Sequence, residues 1–228
     1  MPQGFLFCYF EISTMNRTDI AELRKEYTRA FLNPEDLPDD PLEAFANWFD
    51  FAMHEKIYEP NAMVLSTAIN NRPSSRVVLL KGISEGGFVF FTNYNSKKGR
   101  ELIENPNACL NFHWGLLERQ VRIEGRVKKI TEQESDIYFQ SRPRLSQAGA
   151  IVSAQSSIVL SREELDAAMK ELMETKPDKP LVRPVHWGGF VLIPDYLEFW
   201  QGRPGRVHDR IAYSLKSEGS WTKCRLSP

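Results

Sequence analysis

Cysteine is scarce in this chain. Cys8, Cys109 and Cys224 are the three in 228 residues, an odd number with no CxxC spacing, which argues against a disulfide framework and fits a reducing cytoplasm. Histidine is equally sparse, and His54, His113, His186 and His208 stand too far apart to offer a short metal-ligand spacing, so no metal is expected. The apolar stretch from Phe5 to Phe10 is six residues without a preceding basic region, too short for a signal peptide or membrane span. A large charge of one sign is missing too. The formal net charge is −1, against the strong basic excess typical of proteins that bind nucleic acid or anionic membranes. No Rossmann or P-loop glycine motif, Gly-x-Ser-x-Gly elbow, repeat or low-complexity tract occurs. These absences leave a globular protein with a small-molecule partner.

What is present is one sizeable core: 42% of residues are hydrophobic and 26% charged. Residues 1–14 are expected to be an extension, and residues 15–228 a single domain. A helix is expected near residues 18 to 30. A second carries Leu42, Phe45, Trp48, Phe49 and Ala52 on one face. Strands are expected at Met63–Ile69, Arg76–Ile83, Phe88–Tyr94, Ala108–Trp114 and Gln120–Ile130, separated by turns such as residues 70–73 and 85–87, in an antiparallel meander closing as a barrel. Capping boxes at Thr131/Glu134 and Ser161/Glu164 announce two further helices, and Pro143 implies that residues 138–146 are two helices meeting at an angle. Strands return at Gly189–Ile193, Leu197–Trp200, Ile211–Leu215 and Ser220–Leu226. The class is mainly β with flanking helices.

Charge is uneven. Residues 16–60 hold 5 Lys/Arg against 11 Asp/Glu, and residues 72–130 hold 11 against 5, which directs the search for an anionic ligand to the middle of the chain. There Arg76 and Lys81 interrupt an apolar strand. Five apart, they address opposite faces of an ideal strand unless a bulge intervenes; surface cations on an edge strand are the plain alternative. Residues 91–99 lead from a strand into a helix start with hydroxyls, amides, Lys97 and Lys98, a phosphate cradle or simply a helix cap. Tyr138, Arg142 and Ser146, at intervals of four, suit a second phosphate. Arg206 and His208 sit with Asp209 and Arg210 in a Gly/Pro loop after Trp200, a dense set beside which a purely structural histidine is the lesser reading. Together these residues point to a barrel-like domain binding one or two phosphorylated, planar ligands, without naming a reaction.

Eight segments in order carry more: residues 76–82 (RVVLLKG), 91–93 (FTN), 118–121 (ERQV), 138–143 (YFQSRP), 153–156 (SAQS), 187–189 (WGG), 198–202 (EFWQG) and 206–210 (RVHDR). This pattern resembles the pyridoxine/pyridoxamine 5′-phosphate oxidase family. The resemblance implies an FMN-binding split β-barrel and a homodimer whose two equivalent sites lie at the subunit interface. It implies FMN held by Arg76, Val77, Val78, Leu79, Phe91, Thr92, Lys97, Lys98, Gln120, Gln155, Ser156, Trp200 and Arg210. The vitamer phosphate falls to Lys81, Tyr138, Arg142 and Ser146, and catalysis over the pyridine ring to Arg206 and His208. Arg24 and Tyr27 correspond to a segment that covers the substrate.

The activity implied is oxidation of pyridoxine 5′-phosphate and pyridoxamine 5′-phosphate to pyridoxal 5′-phosphate in the cytoplasm, O2 being reduced to H2O2 and the amine substrate also releasing NH3. Three positions depart from the family pattern: Val207 replaces a common leucine, Lys97 a frequent arginine, and Ile69-Asn70 removes an acidic turn residue. Two other readings remain, a flavin reductase of the same barrel family and a non-catalytic pyridoxal-phosphate carrier. The residues Arg142, Ser146, Arg206 and His208 favour the oxidase.

Overall fold

A computed structural model of the chain describes residues 20, 22–175 and 179–228. The expected extension, residues 1–14, lies outside the described residues, as do residues 18, 19 and 21 of the helix expected at 18–30, while Ile20 and Glu22 are helical. From Leu23 onward that expectation fails: residues 23–30 carry no helix. The reason is tertiary. Arg29 and Leu32 give their backbone N–H groups to the carboxylates of Glu118 (3.0 Å) and Asp209 (3.0 Å) rather than to a helical ladder.

The first long helix, α1 (Pro41–His54), starts as its sequence demands, with Pro41 in the first turn and the Asp40 carboxylate accepting the Leu42 N–H (2.8 Å). Its Ala44, Phe45, Trp48 and Ala52 are buried. Among the described residues nine strands follow in one sheet: β1 (Ala62–Ile69), β2 (Arg72–Leu79), β3 (Gly82–Ser84), β4 (Gly87–Asn93), β5 (Asn107–Trp114), β6 (Arg119–Lys129), β7 (Trp187–Gln201), β8 (Asp209–Leu215) and β9 (Trp221–Leu226). The order is β2-β1-β5-β6-β7-β4-β3, with β8 and β9 added beside β7, and every pairing is antiparallel. Asn70 and Asn71, both at positive φ (49° and 59°), make the β1–β2 turn, so Arg72-Pro73 belongs to β2 and not to the turn.

Two other boundaries differ from the sequence reading. The strand expected at Arg76–Ile83 stops at Leu79, and β3 resumes at Gly82. Conversely, the two segments around Pro194 form a single 15-residue strand, β7. Its first half pairs with β4, its second half with β8, and β6 runs beside both. The register shifts between Glu124 and Gly125, opposite Pro194. A side chain at Gly125 would place Cβ 2.1 Å from the Ile193 carbonyl oxygen, so glycine lets the strands close up where proline cannot donate.

One face of the sheet wraps an apolar core. Leu65, Phe88, Phe90, Leu110, Phe112, Ile123, Phe199 and Ile211 come from six strands, and Phe45 and Trp48 of α1 fill the centre. The Phe45 ring meets Phe88 edge-on at 4.9 Å and Phe112 at 5.0 Å. Burying each such ring is worth about 1.5–3 kcal/mol. Helix α2 (Lys97–Glu104) follows β4; α3 (Glu132–Ser141), α4 (Arg144–Val152) and α5 (Arg162–Thr175) lie between β6 and β7. The break at Pro143 is as the sequence implies, with Arg142 ending α3 and Pro143 capping α4. These helices enclose a second apolar cluster of Phe139, Ala148, Leu181 and Trp187. Among the described residues no helix is long and apolar enough to cross a membrane.

Candidate functional site

A cavity of about 570 Å³ opens between β2, β4 and the α3–α4 pair, within the size range of small-molecule sites. It gathers Arg76, Val77, Val78, Leu79, Lys81, Phe91, Thr92, Lys98, Tyr138, Arg142, Ser146 and Gln155. Arg76 and Lys81 share it because β2 ends between them, which releases Lys81 from strand alternation. Among the described residues four cations, Arg76, Lys81, Lys98 and Arg142, line it, and no carboxylate does.

Two of the four, Arg76 and Lys98, have hydrogen-bonded support. Arg76 donates from Nη1 to the Thr67 hydroxyl (2.7 Å) and from Nη2 to Glu101 (2.9 Å) and the Ser74 hydroxyl (2.5 Å). Glu101, its side chain 6% exposed, also accepts from Thr67 at 2.6 Å. These partners hold the Glu101 carboxyl below the usual carboxylate range against the opposing effect of burial. Glu101 therefore puts a carboxylate beside Arg76 in a chain whose β1–β2 turn has none. Lys98 approaches the Thr92 hydroxyl at 3.4 Å, and burial, then Arg76, pull its ammonium below the ordinary lysine value. Thr92 in turn donates to the Gln155 side-chain oxygen (3.1 Å).

Arg142 is the least satisfied. Its guanidinium lies 4.5 Å from the Trp187 ring centroid, burial lowers its pKa, and its buried Nη1 has no hydrogen-bond partner among the described residues. A buried donor left unpaired costs about 1–3 kcal/mol, a cost that an anionic ligand in the cavity would remove. Tyr138 is held flat by stacking on Phe91 (3.8 Å, 21°), with Trp187 beyond (Phe91 to Trp187, 5.5 Å). The sequence reading quoted Asn93, Ser153 and Trp187 in motifs without a role, and passed over Gly149 and Ala150; all five line the cavity.

A separate cavity of about 390 Å³ is lined by Leu23–Tyr27, Trp200, Arg203, Gly205, Arg206 and His208. Here Arg24, Tyr27, Arg206 and His208 do come together. The rings of Tyr27, Trp200 and His208 meet pairwise at 5.6, 5.5 and 4.7 Å. The Arg203 backbone N–H donates to His208 Nδ1 (3.1 Å), so the neutral ring carries its proton on Nε2. Burial, then Arg206, push the His208 pKa down, away from the neutral-range titration that an isolated histidine offers.

Of the other expected residues, Trp200 lines the second cavity, whereas Lys97, Gln120, Ser156 and Arg210 line neither. Gln120, Trp200 and Arg210 are directly paired across β6, β7 and β8, with His113 beyond, in a single row. Arg210 is fixed by Glu198, which accepts from Nε (2.8 Å) and Nη2 (3.0 Å), and by the Ser227 carbonyl (2.8 Å). Glu198, 2% exposed, also accepts from the Tyr196 hydroxyl (2.9 Å). Burial raises the Glu198 pKa, but Arg210, Tyr196 and Arg122 outweigh it and hold the carboxyl low. Burial, then the same carboxylate, push the Tyr196 phenol up to about 12. Lys97 is 65% exposed, 3.9 Å from Glu101 and outside the first cavity's lining. Ser156, at φ 71°, follows Gln155 on the surface. Among the described residues no cluster of His, Cys, Asp or Glu could hold a metal ion.

A mostly antiparallel, split-barrel-like sheet with flanking helices and a cation-lined cavity defines a class of small-ligand proteins, and comparison with known proteins narrows it. The family model described as pyridoxamine 5′-phosphate oxidase matches residues 49–177, and the model described as the pyridoxine 5′-phosphate oxidase C-terminal dimerisation region matches residues 187–228. A pyridoxine/pyridoxamine 5′-phosphate oxidase of Herminiimonas arsenicoxydans is 52% identical over 92% of this chain and 99% of its own length. One from Rubrobacter xylanophilus is 50% identical over 93% and 98%. The crystal structure of PhzG from Burkholderia lata, in complex with tetrahydrophenazine-1-carboxylic acid, superposes with a TM-score of 0.83 at 31% identity over 90% of this chain and 100% of its own. A pyridoxamine 5′-phosphate oxidase-related, FMN-binding protein from Nostoc punctiforme shares the fold (TM-score 0.68, 17% identity, 81% of this chain and 97% of its own). The chain belongs to the pyridoxine/pyridoxamine 5′-phosphate oxidase family of enzymes.

Proposed function

We propose that this protein binds FMN and oxidises pyridoxine 5′-phosphate and pyridoxamine 5′-phosphate to pyridoxal 5′-phosphate, with O2 as acceptor, H2O2 as product and NH3 released from the amine. The observation that carries the reading is the first cavity, which offers four cations, no carboxylate and an unpartnered Arg142 donor. That is enough positive charge for two phosphate monoesters. The family membership and the FMN-binding fold neighbour support flavin as the cofactor.

Arg76 and Lys98, with Thr92 and Gln155, are the donors for the FMN phosphate. Lys81, Tyr138, Arg142 and Ser146 hold the vitamer phosphate and so orient its ring. FMN, when bound, supplies the two-electron acceptor. The two cavities share no lining residue, and the dimerisation region spans the strands that carry the second. In a homodimer the second cavity of one subunit therefore completes the first cavity of the other. There Arg206 supplies a permanent positive charge over the pyridine ring, His208 presents its Nε2–H to a ring substituent, and Tyr27 excludes water. The setting is the cytoplasm.

The test is to purify the protein, release and identify its flavin on denaturation, and measure peroxide formed from each phosphorylated vitamer and from unphosphorylated pyridoxine. Yellow protein that makes peroxide only with the phosphorylated compounds is expected. Flavin without vitamer oxidation would indicate a reductase, and vitamer binding without flavin a carrier; either result refutes the proposal. With FMN saturating, Arg206→Ala should slow anaerobic flavin reduction by pyridoxine 5′-phosphate. A wild-type reduction rate and wild-type affinity in that variant would remove Arg206 from the chemistry.

A further inference from the structure

Residues 23–30 have no regular secondary structure, yet Leu23–Tyr27 line the second cavity. What holds them there is mostly far away in sequence. The Glu118 carboxylate, 5% exposed, accepts the Arg29 N–H at 3.0 Å and lies 3.5 Å from the Lys25 ammonium. The other ties of Arg29, to Glu55 (2.5 Å) and the Leu116 carbonyl (3.0 Å), are at the exposed surface, where water competes for them.

Glu118 also stands in a costly conformation. At φ 56°, ψ 37° it is left-handed, closing the turn between β5 and β6, where a glycine would sit without strain. Its carbonyl accepts the Gly202 N–H at 2.7 Å. A side chain at position 202 would put Cβ 2.7 Å from Tyr27 Cγ and 3.0 Å from Glu118 Cβ. Tyr27 is thus seated in a slot made by Gly202, Glu118, Trp200 and His208.

We propose that Glu118 is a positioning residue, a buried latch whose carboxylate holds residues 25–29 so that Tyr27 stays packed against Trp200 and His208 and sets the affinity for the phosphorylated pyridine substrate. The substrate half of this statement rests on the function proposed above; the latch itself does not. The left-handed backbone supplies a discriminating variant. Glu118→Gly suits the turn and removes the latch, whereas Glu118→Gln keeps an oxygen to accept the Arg29 N–H.

The experiment compares three properties of the FMN-loaded dimer: tryptic cleavage after Lys25 and Arg29, followed by mass spectrometry; KM and kcat for pyridoxine 5′-phosphate; and the Kd for FMN. Loss of a hydrogen bond to a buried charged group corresponds to about a 10-fold or larger change in an equilibrium, and cleavage of a locally opened segment follows that equilibrium. Glu118→Gly should therefore be cut about 10-fold faster and show a KM raised about 10-fold, with kcat, FMN Kd and melting temperature close to wild type. Glu118→Gln should stay close to wild type in all of them. Wild-type cleavage of Glu118→Gly would overturn the latch, and faster cleavage with an unchanged KM would overturn the positioning role. Loss of FMN or of thermal stability in both variants would overturn the proposal in favour of a structural role. If the wild-type protein oxidised neither vitamer, the substrate assignment would fall while the cleavage comparison still judged the latch.

Discussion

Replacing Arg142 by methionine separates binding from folding at the proposed vitamer phosphate site. In the free protein this guanidinium is half-buried, sits 4.5 Å from the Trp187 ring and has an unpaired buried Nη1. Methionine keeps the apolar contact with Trp187 and removes the orphan donor. The lost cation–π attraction is worth roughly 0.5–2 kcal/mol, and the relieved donor about 1–3 kcal/mol, so the terms nearly cancel. The melting temperature should stay within about 4 °C of wild type, since about 1 kcal/mol moves a domain of this size by roughly 2–4 °C. Binding has no such cancellation. A charged hydrogen bond to phosphate contributes about 1.5–3 kcal/mol, so KM for pyridoxine 5′-phosphate should rise about 10- to 100-fold. Any weak activity on unphosphorylated pyridoxine, and the Kd for FMN, should not change. Steady-state peroxide assays, flavin fluorescence titration and a thermal melt supply the three numbers. An unchanged KM would refute the phosphate role of Arg142, and a melting temperature lowered by 10 °C with loss of FMN would show that the residue is structural.

Arg76→Ala should weaken FMN about 10- to 100-fold in a fluorescence titration, and unchanged affinity would count against Arg76 as a cofactor contact. Glu198 has its folded-state pKa held below the unfolded value by Arg210, Tyr196 and Arg122. The stability it contributes is therefore present above the unfolded carboxylate pKa of about 4.3 and lost as pH falls through the lower folded value. Glu198→Gln should flatten the fall in melting temperature below about pH 4.5, and an identical acid profile would refute the linkage. Deleting residues 1–14 should leave peroxide formation unchanged, whereas deleting residues 1–30 removes Arg24 and Tyr27 and should raise KM for the vitamer with FMN affinity retained; equal activity of the two truncations would dismiss any covering role for the segment.

The sequence alone determined strands β1, β4, β5 and β6, the apolar face of α1 and the bend at Pro143, because each follows from local rules: alternation, 3.6-residue periodicity, capping and a missing amide. It also singled out the cations of the first cavity, since Arg76, Lys81 and Lys98 interrupt apolar or turn segments and Arg142 stands four residues from both Tyr138 and Ser146. Only the tertiary structure showed that Arg76 and Lys81, on opposite faces of an ideal strand, line a single cavity, because the end of β2 at Leu79 depends on its neighbours. It alone made β7 continuous through Pro194, where Gly125 on the facing strand absorbs the irregularity. It alone separated Arg206 and His208 from the phosphate cavity and brought them to Tyr27. Glu101, the carboxylate that braces Arg76, carries no local signal that distinguishes it from a surface acid, and the motifs that contain Glu118, Glu198 and Asp209 give no sign of the distant groups these carboxylates hold. Their partners lie as far as 177 residues away in the chain, and burial, which gives a carboxylate its influence, is a property of packing rather than of sequence position.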